Sequence, residues 1–165
     1  MNKPELPQKP SLARAFDFYP GSWRVRMQQR KVNGKLEVLS EWTAFDATVT
    51  VHRWLPNGFV EEYEMRKPEG VSRAVGSRFY DVKLQQWSIY WANDRDGAWQ
   101  PPSKGGALTA DGFELVMPDS YDGHELLSRY KWTTVDANHP MWEQSFSNDD
   151  GKTWISNWIM KFTRV

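Results

Sequence analysis

From Trp23 the chain alternates with a period of two. Trp23, Val25 and Met27 fall on one side, and Arg24, Arg26, Gln28 and Arg30 on the other. Successive side chains of an extended chain point to opposite faces, so this is a strand with one apolar and one wet face. The pattern returns in Phe59, Glu61, Tyr63 and Met65, in Trp87, Ile89 and Trp91, and in Leu126, Ser128, Tyr130 and Trp132. It returns again in Trp142, Gln144 and Phe146, and in Trp154, Trp158, Met160 and Phe162. No segment longer than two turns carries a helical period. About ten short strands joined by tight turns predict an all-β chain. They favour an antiparallel up-and-down barrel of about 8–10 strands, because closure removes the unpaired edges.

Turn residues set the expected boundaries. After the strand that Trp23 opens, Asn33-Gly34 predicts the first hairpin, both residues tolerating positive φ. Strands are then expected over 36–46, 49–54, 59–66, 73–81, 86–93, 108–117, 125–135, 141–147 and 153–163. Residues 99–106 read as a loop, too rich in Pro and Gly to pair centrally. Ser11 is placed to cap a short helical turn through Phe16, ahead of the turn at Pro20-Gly21. Residues 1–10 are Pro-rich and expected to be flexible, leaving 11–165 as a single domain.

Ten tryptophans, six tyrosines and eight phenylalanines stand in a chain of 165 residues. Rings on this scale either fill a wide barrel solid or line a cavity for a flat or greasy ligand. The charge balance, 21 basic against 21 acidic residues, gives no field to attract nucleic acid or an anionic membrane. No apolar run reaches the roughly 18 residues of a membrane helix. The segment Met1 to Pro7 carries Pro and Glu where a secretory signal would be apolar, so a cytoplasmic location is expected. With no cysteine, disulfides, thiolate metal sites and thiol catalysis are excluded.

Three motifs carry a family resemblance. Phe16 to Trp23 reads Phe-Asp-Phe-x-x-Gly-x-Trp; Tyr80-Asp81 precedes Trp87-Ser88-x-x-Trp91; and Trp142-Glu143 precedes Ser-x-Asp-x-Gly-Lys-Thr-Trp at 147–154 and Phe162-Thr163-Arg164. In this order they resemble an uncharacterised, mostly bacterial lipocalin-like family of the calycin superfamily, over about residues 16 to 164. The resemblance implies a barrel closed at one end by an arginine, here Arg164, packed on Trp23. It implies no reaction and lends no catalytic residue. The haem-binding nitrobindins among these barrels show Gly-x-Trp-x-Gly-x-Gly, whereas Arg24, Val25, Arg26 and Met27 follow Trp23 here. The available histidines, His52, His124 and His139, sit near turns or strand ends, so no haem, metal or other cofactor is expected.

Ser147 to Trp154 also matches the Asp-box turn of sialidase propellers, but one copy in this length marks a rigid turn around Asp149. Glu61 is the best acid candidate, a carboxylate among rings, unless it pairs with an arginine such as Arg78 or sits at the rim. His124 is the second, in a turn cluster with Asp119, Tyr121 and Glu125. Glu143 falls on the outer face. The expected lining of a ligand cavity is Tyr63, Trp91, Tyr130, Trp132, Trp142 and Trp158. The partner expected is a small hydrophobic or aromatic molecule, with nucleic acid and membrane excluded and a homodimer allowed. Whether the cavity binds or also catalyses stays open, as an isomerase, cyclase or hydrolase would use the same space.

Overall fold

The computed structural model describes residues 11–165; the flexible segment expected over 1–10 lies outside the described residues. A single turn of 3-10 helix (Leu12–Arg14) leads into β1 (Gly21–Gln29), β2 (Thr43–Leu55), β3 (Gly58–Lys67), β4 (Gly70–Asp81), β5 (Gln86–Asn93) and β6 (Ser103–Gly105). The second half comprises β7 (Ala107–Thr109), β8 (Gly112–Tyr121), β9 (His124–Thr133), β10 (Met141–Ser147) and β11 (Ile155–Arg164). All eleven form one antiparallel sheet in the order β6-β5-β4-β3-β2-β1-β11-β10-β9-β8-β7. Every neighbour is a neighbour in sequence except β1 and β11, which join the two halves through pairs such as Val25 with Phe162. The sheet curls until β6 packs against β8, making a nearly closed up-and-down barrel whose seam lacks a hydrogen-bonded ladder. Among the described residues no helix is long and apolar enough to cross a membrane.

Alternation holds over most of the barrel. Phe59, Glu61, Tyr63 and Met65 are all buried, as are Trp23, Val25 and Met27. The closed end is an aromatic plug. Phe16 lies 4.9 Å from Trp87 and from Phe113, and Tyr19 lies 5.0 Å from Trp132, in edge-on geometries. Each such pair adds about 0.5–1.5 kcal/mol beyond the area it buries. The Arg164 guanidinium lies 4.1 Å from the centre of the Trp23 ring. It donates to the carbonyls of Pro20 and Phe18 and to Asn138 Oδ1, so one cation ties its own strand to two other segments. Gly21 permits this approach: its φ is +126°, and a Cβ there would meet Arg164 Nη1 at 2.9 Å.

Several expectations need correction. Ser11 makes no side-chain cap; the turn is held by backbone bonds such as Arg14 N–H to the Ser11 carbonyl at 2.9 Å. The strand expected from residue 36 begins at Thr43, because 30–42 is a connection pinned by Asn33 Oδ1, which accepts from the backbone N–H of Lys35 and Glu37. Positive φ in that turn falls on Leu36 (64°), not on Asn33 or Gly34. The strand expected over 108–117 instead runs Gly112–Tyr121. Pro118 is tolerated in it because β8 beyond Glu114 is paired on one side only. Residues 103–105 and 107–109 form short strands at the sheet edges, where a Pro/Gly-rich segment can pair.

The last strand holds the most informative departure. Gln144 pairs with Trp158 but Ser145 pairs with Ser156, so Asn157 is an extra residue and β11 is bulged there. A one-residue slip reverses the faces. Trp154 therefore leaves the interior register and packs outside, with the Arg129 guanidinium 4.3 Å from its ring centre. Arg30 braces the bulge, its backbone N–H donating to the Asn157 carbonyl and its Nε to that of Ser156.

Candidate functional site

Above the aromatic plug the barrel holds a cavity of about 760 Å³, lined by residues of β3, β4, β5, β8, β9, β10 and β11. Its mouth is at the end bearing Gln29, Lys67, Asn93, Arg95, Ser120 and Tyr121, opposite the end closed by Trp23 and Arg164. The volume lies within the range of small-molecule sites, roughly 300–1,000 Å³.

Five rings form a continuous chain around this space. Tyr63 lies 5.0 Å from Trp91, and Trp91 5.8 Å from Trp158. Trp158 is 5.4 Å from Trp142, which in turn is 5.5 Å from Tyr130. Strand β5 is separated from β11 by four strands in the sheet, so the contact between Trp91 and Trp158 crosses the barrel. The Trp158 indole N–H has no hydrogen-bond partner among the described residues and is set among rings packed edge to face.

A charged cluster forms the floor. Glu61 on β3 is 2 % exposed and takes Arg78 Nε on one carboxylate oxygen. The other oxygen accepts the hydroxyls of Tyr63 at 2.5 Å and Tyr19 at 3.1 Å, and the two hydroxyls lie 3.0 Å apart. The Arg78 guanidinium sits 4.5 Å from the Phe16 ring centre and 4.8 Å from that of Tyr19. Burial opposes its charge, but the Glu61 carboxylate more than offsets this and raises its pKa. Burial first, and the Glu61 charge second, push both Tyr19 and Tyr63 well above the ordinary phenol range, so both keep their protons. Gly76 makes room, since it pairs with Glu61 and a Cβ there would lie 3.1 Å from Glu61 Oε2.

Of the six expected lining residues, Tyr63, Trp91, Tyr130, Trp142 and Trp158 come together on the cavity. Trp132 does not line it; the ring is buried in the plug beneath, 5.2 Å from Phe162. Glu61 lies on the floor with its oxygens engaged, the arginine pairing having been one of its two alternatives. His124 is exposed at the start of β9 and is not part of the cavity wall. Glu143 is on the outer face, 3.6 Å from Arg129. Among the described residues no group of three His, Asp or Glu is placed to hold a metal ion.

Asp119, like Tyr121, is a lining residue that sequence reasoning assigned to a turn. Phe113, Leu115, Met117 and Asp119 alternate inward on β8, so Asp119 meets the cavity. The signal was the same period of two, hidden by Pro118. Near the wall, Ser147 to Trp154 forms the expected rigid turn. Asp149 accepts from the Thr153 hydroxyl at 2.6 Å, the Thr153 N–H at 2.9 Å and the Ser147 hydroxyl at 2.7 Å.

The fold and its open cavity define a class: nearly closed antiparallel barrels with a lined interior. Among solved structures, the chain is similar to Rv2717c from Mycobacterium tuberculosis, at 11% identity and TM-score 0.57, covering 96% of this chain and 99% of that one. It is also similar to the S-type phycobiliprotein lyase CPES from Guillardia theta, at 9% identity and TM-score 0.51, covering 95% and 94%. At these identities the likeness is one of fold. No protein-family model and no curated protein matches the chain in sequence.

Proposed function

We propose that this protein binds a small, largely apolar or aromatic molecule in the barrel cavity. The observation that carries the reading is the five-ring chain around an empty volume of about 760 Å³. A solid barrel would close such a space, because protein interiors pack to crystal-like density. The three sequence motifs and the Arg164–Trp23 closure support assigning the chain to the lipocalin-like family they resemble. The ligand would be held mostly by ring burial, with Gln144, Tyr130 and the Tyr63 hydroxyl fixing its orientation. No observation favours turnover over binding, since Glu61 is saturated by its neighbours and His124 lies off the cavity wall.

The test is titration with the neutral fluorophore N-phenyl-1-naphthylamine, followed by its emission and by tryptophan quenching. Saturable one-to-one binding is expected, abolished in Gln144→Trp, which fills the space without removing a packed ring. No saturable binding to the wild-type protein, or binding indifferent to that substitution, would overturn the reading.

A further inference from the structure

The charges inside the cavity are not evenly paired. On the floor, Glu61 and Arg78 neutralise each other within a single hydrogen-bonded pair. At the mouth, Arg95 lies 3.5 Å from Asp96, with an 81% exposed side chain. Lys67 reaches over the Phe45 ring at 5.8 Å. Asp119 has no such partner. One of its oxygens accepts the Ser120 N–H at 2.8 Å and the other the Ser128 hydroxyl, both uncharged. Among the described residues no basic group forms an ion pair with it. It stands on the inward face of β8, half-buried, one inward position beyond Met117.

Rings line the same cavity as this carboxylate. Tyr130 and Trp142 contact each other on the same wall, and Phe146 stacks on Tyr121 at 5.2 Å beside the mouth. Burial first, and the Asp119 charge as a lesser contribution, push the Tyr130 phenol up, so the hydroxyl stays neutral beside the acid. An aromatic wall with its negative ring faces, set beside one uncompensated carboxylate, attracts a desolvated cation and repels an anion. We propose that the ligand of this cavity is an organic cation: a protonated or quaternary amine on an apolar body, its charge held by Asp119 and its body by the tryptophan wall. This rests on the cavity-binding reading above and narrows it to one chemical class. Arg95 at the mouth has an acidic neighbour of its own, and Lys67, on β3, is drawn over the Phe45 ring, so neither is paired with Asp119.

Three probes of one shape separate the possibilities: 4-phenylbutylamine, 4-phenylbutanol and 4-phenylbutyrate, titrated by calorimetry at neutral pH and low salt. The amine is a cation there and the acid an anion. The wild-type protein is expected to bind the amine about tenfold or more tighter than the alcohol, and the carboxylate weakest. Raising the salt concentration should weaken only the amine. In Asp119→Asn, which keeps an acceptor for Ser128, the amine should fall to the level of the alcohol while the alcohol is unchanged. Equal affinity for amine and alcohol, or tighter carboxylate binding, would overturn the cation assignment and leave the cavity reading intact. So would an amine preference that persists in Asp119→Asn. Should none of the three bind, and N-phenyl-1-naphthylamine also fail, the cavity reading falls with it. The wild-type order and its salt dependence decide the matter even if the variant does not fold.

Discussion

Replacing Arg78 with Met should be among the most damaging single changes to this barrel. The substitution keeps a long side chain against the Phe16 and Tyr19 rings but removes the only cation paired with Glu61 among the described residues. Glu61 is 2 % exposed, so its charge cannot turn to water. Stranding one member of a buried pair costs about 3–5 kcal/mol, more than the pair itself contributes over apolar residues of the same size. For a chain of this length each kcal/mol moves the melting temperature by about 2–4 °C, which predicts a drop of about 6–20 °C. The tyrosine hydroxyls soften the loss without removing it, since they still donate to the carboxylate. A further result identifies the cause. The double variant Glu61→Leu/Arg78→Met should be more stable than Arg78→Met alone, with Tyr19 and Tyr63 left to bond each other across 3.0 Å. The assay is thermal and urea unfolding followed by near-ultraviolet circular dichroism. An Arg78→Met protein within about 1 kcal/mol of wild type, or a double variant as unstable as the sum of its parts, would refute the argument.

Two further measurements probe proton positions. The Asp149 carboxyl is held down to about 2, first by the Thr153 hydroxyl and then by the Thr153 N–H and the Ser147 hydroxyl. A depressed carboxylate stabilises the fold above its unfolded value and loses that contribution as pH falls toward about 2; carbon-detected NMR titration should place its midpoint there, and an ordinary midpoint would contradict the turn geometry. Tyr19 and Tyr63 are shifted the other way, so their contribution is complete below the ordinary phenol range and is lost as pH rises above it. Ultraviolet difference titration should find both phenols silent until alkaline unfolding begins, whereas early ionisation would show the floor of the cavity to be wet.

Much of this architecture was legible because strands announce themselves by alternation. Phe59 to Met65 read inward from sequence, and β10 begins and ends at the expected residues, Met141 and Ser147. The Trp23–Arg164 closure was legible for a different reason, through motifs at the two ends of the chain rather than through periodicity. What alternation could not reveal is where it breaks. Asn157 adds one residue to β11, and nothing in its chemistry marks a bulge, so Trp154 was read inward by extrapolation. Pro118 gave a stop signal that the half-paired β8 ignores, and Asp119 was lost to a turn with it. Trp132 faces inward as expected, but direction along a strand does not say at what height a ring sits. Trp132 and Trp142 are direct partners across β9 and β10, yet the first is buried in the plug and the second lines the cavity.

The placement of β1 and β11 side by side has a consequence for how the molecule comes into being. Strands β1 to β6 form one meander and β7 to β11 another, and each can be laid down in the order of synthesis. The two halves are stitched together by a single ladder, and its second strand is made after the other ten. Until then the first meander must wait with the faces of Trp23, Phe59 and Tyr63 uncovered. A nascent chain halted before Ile155 is therefore a natural client for chaperones, and the ten-residue strand β11 acts as the clasp that ends its exposure.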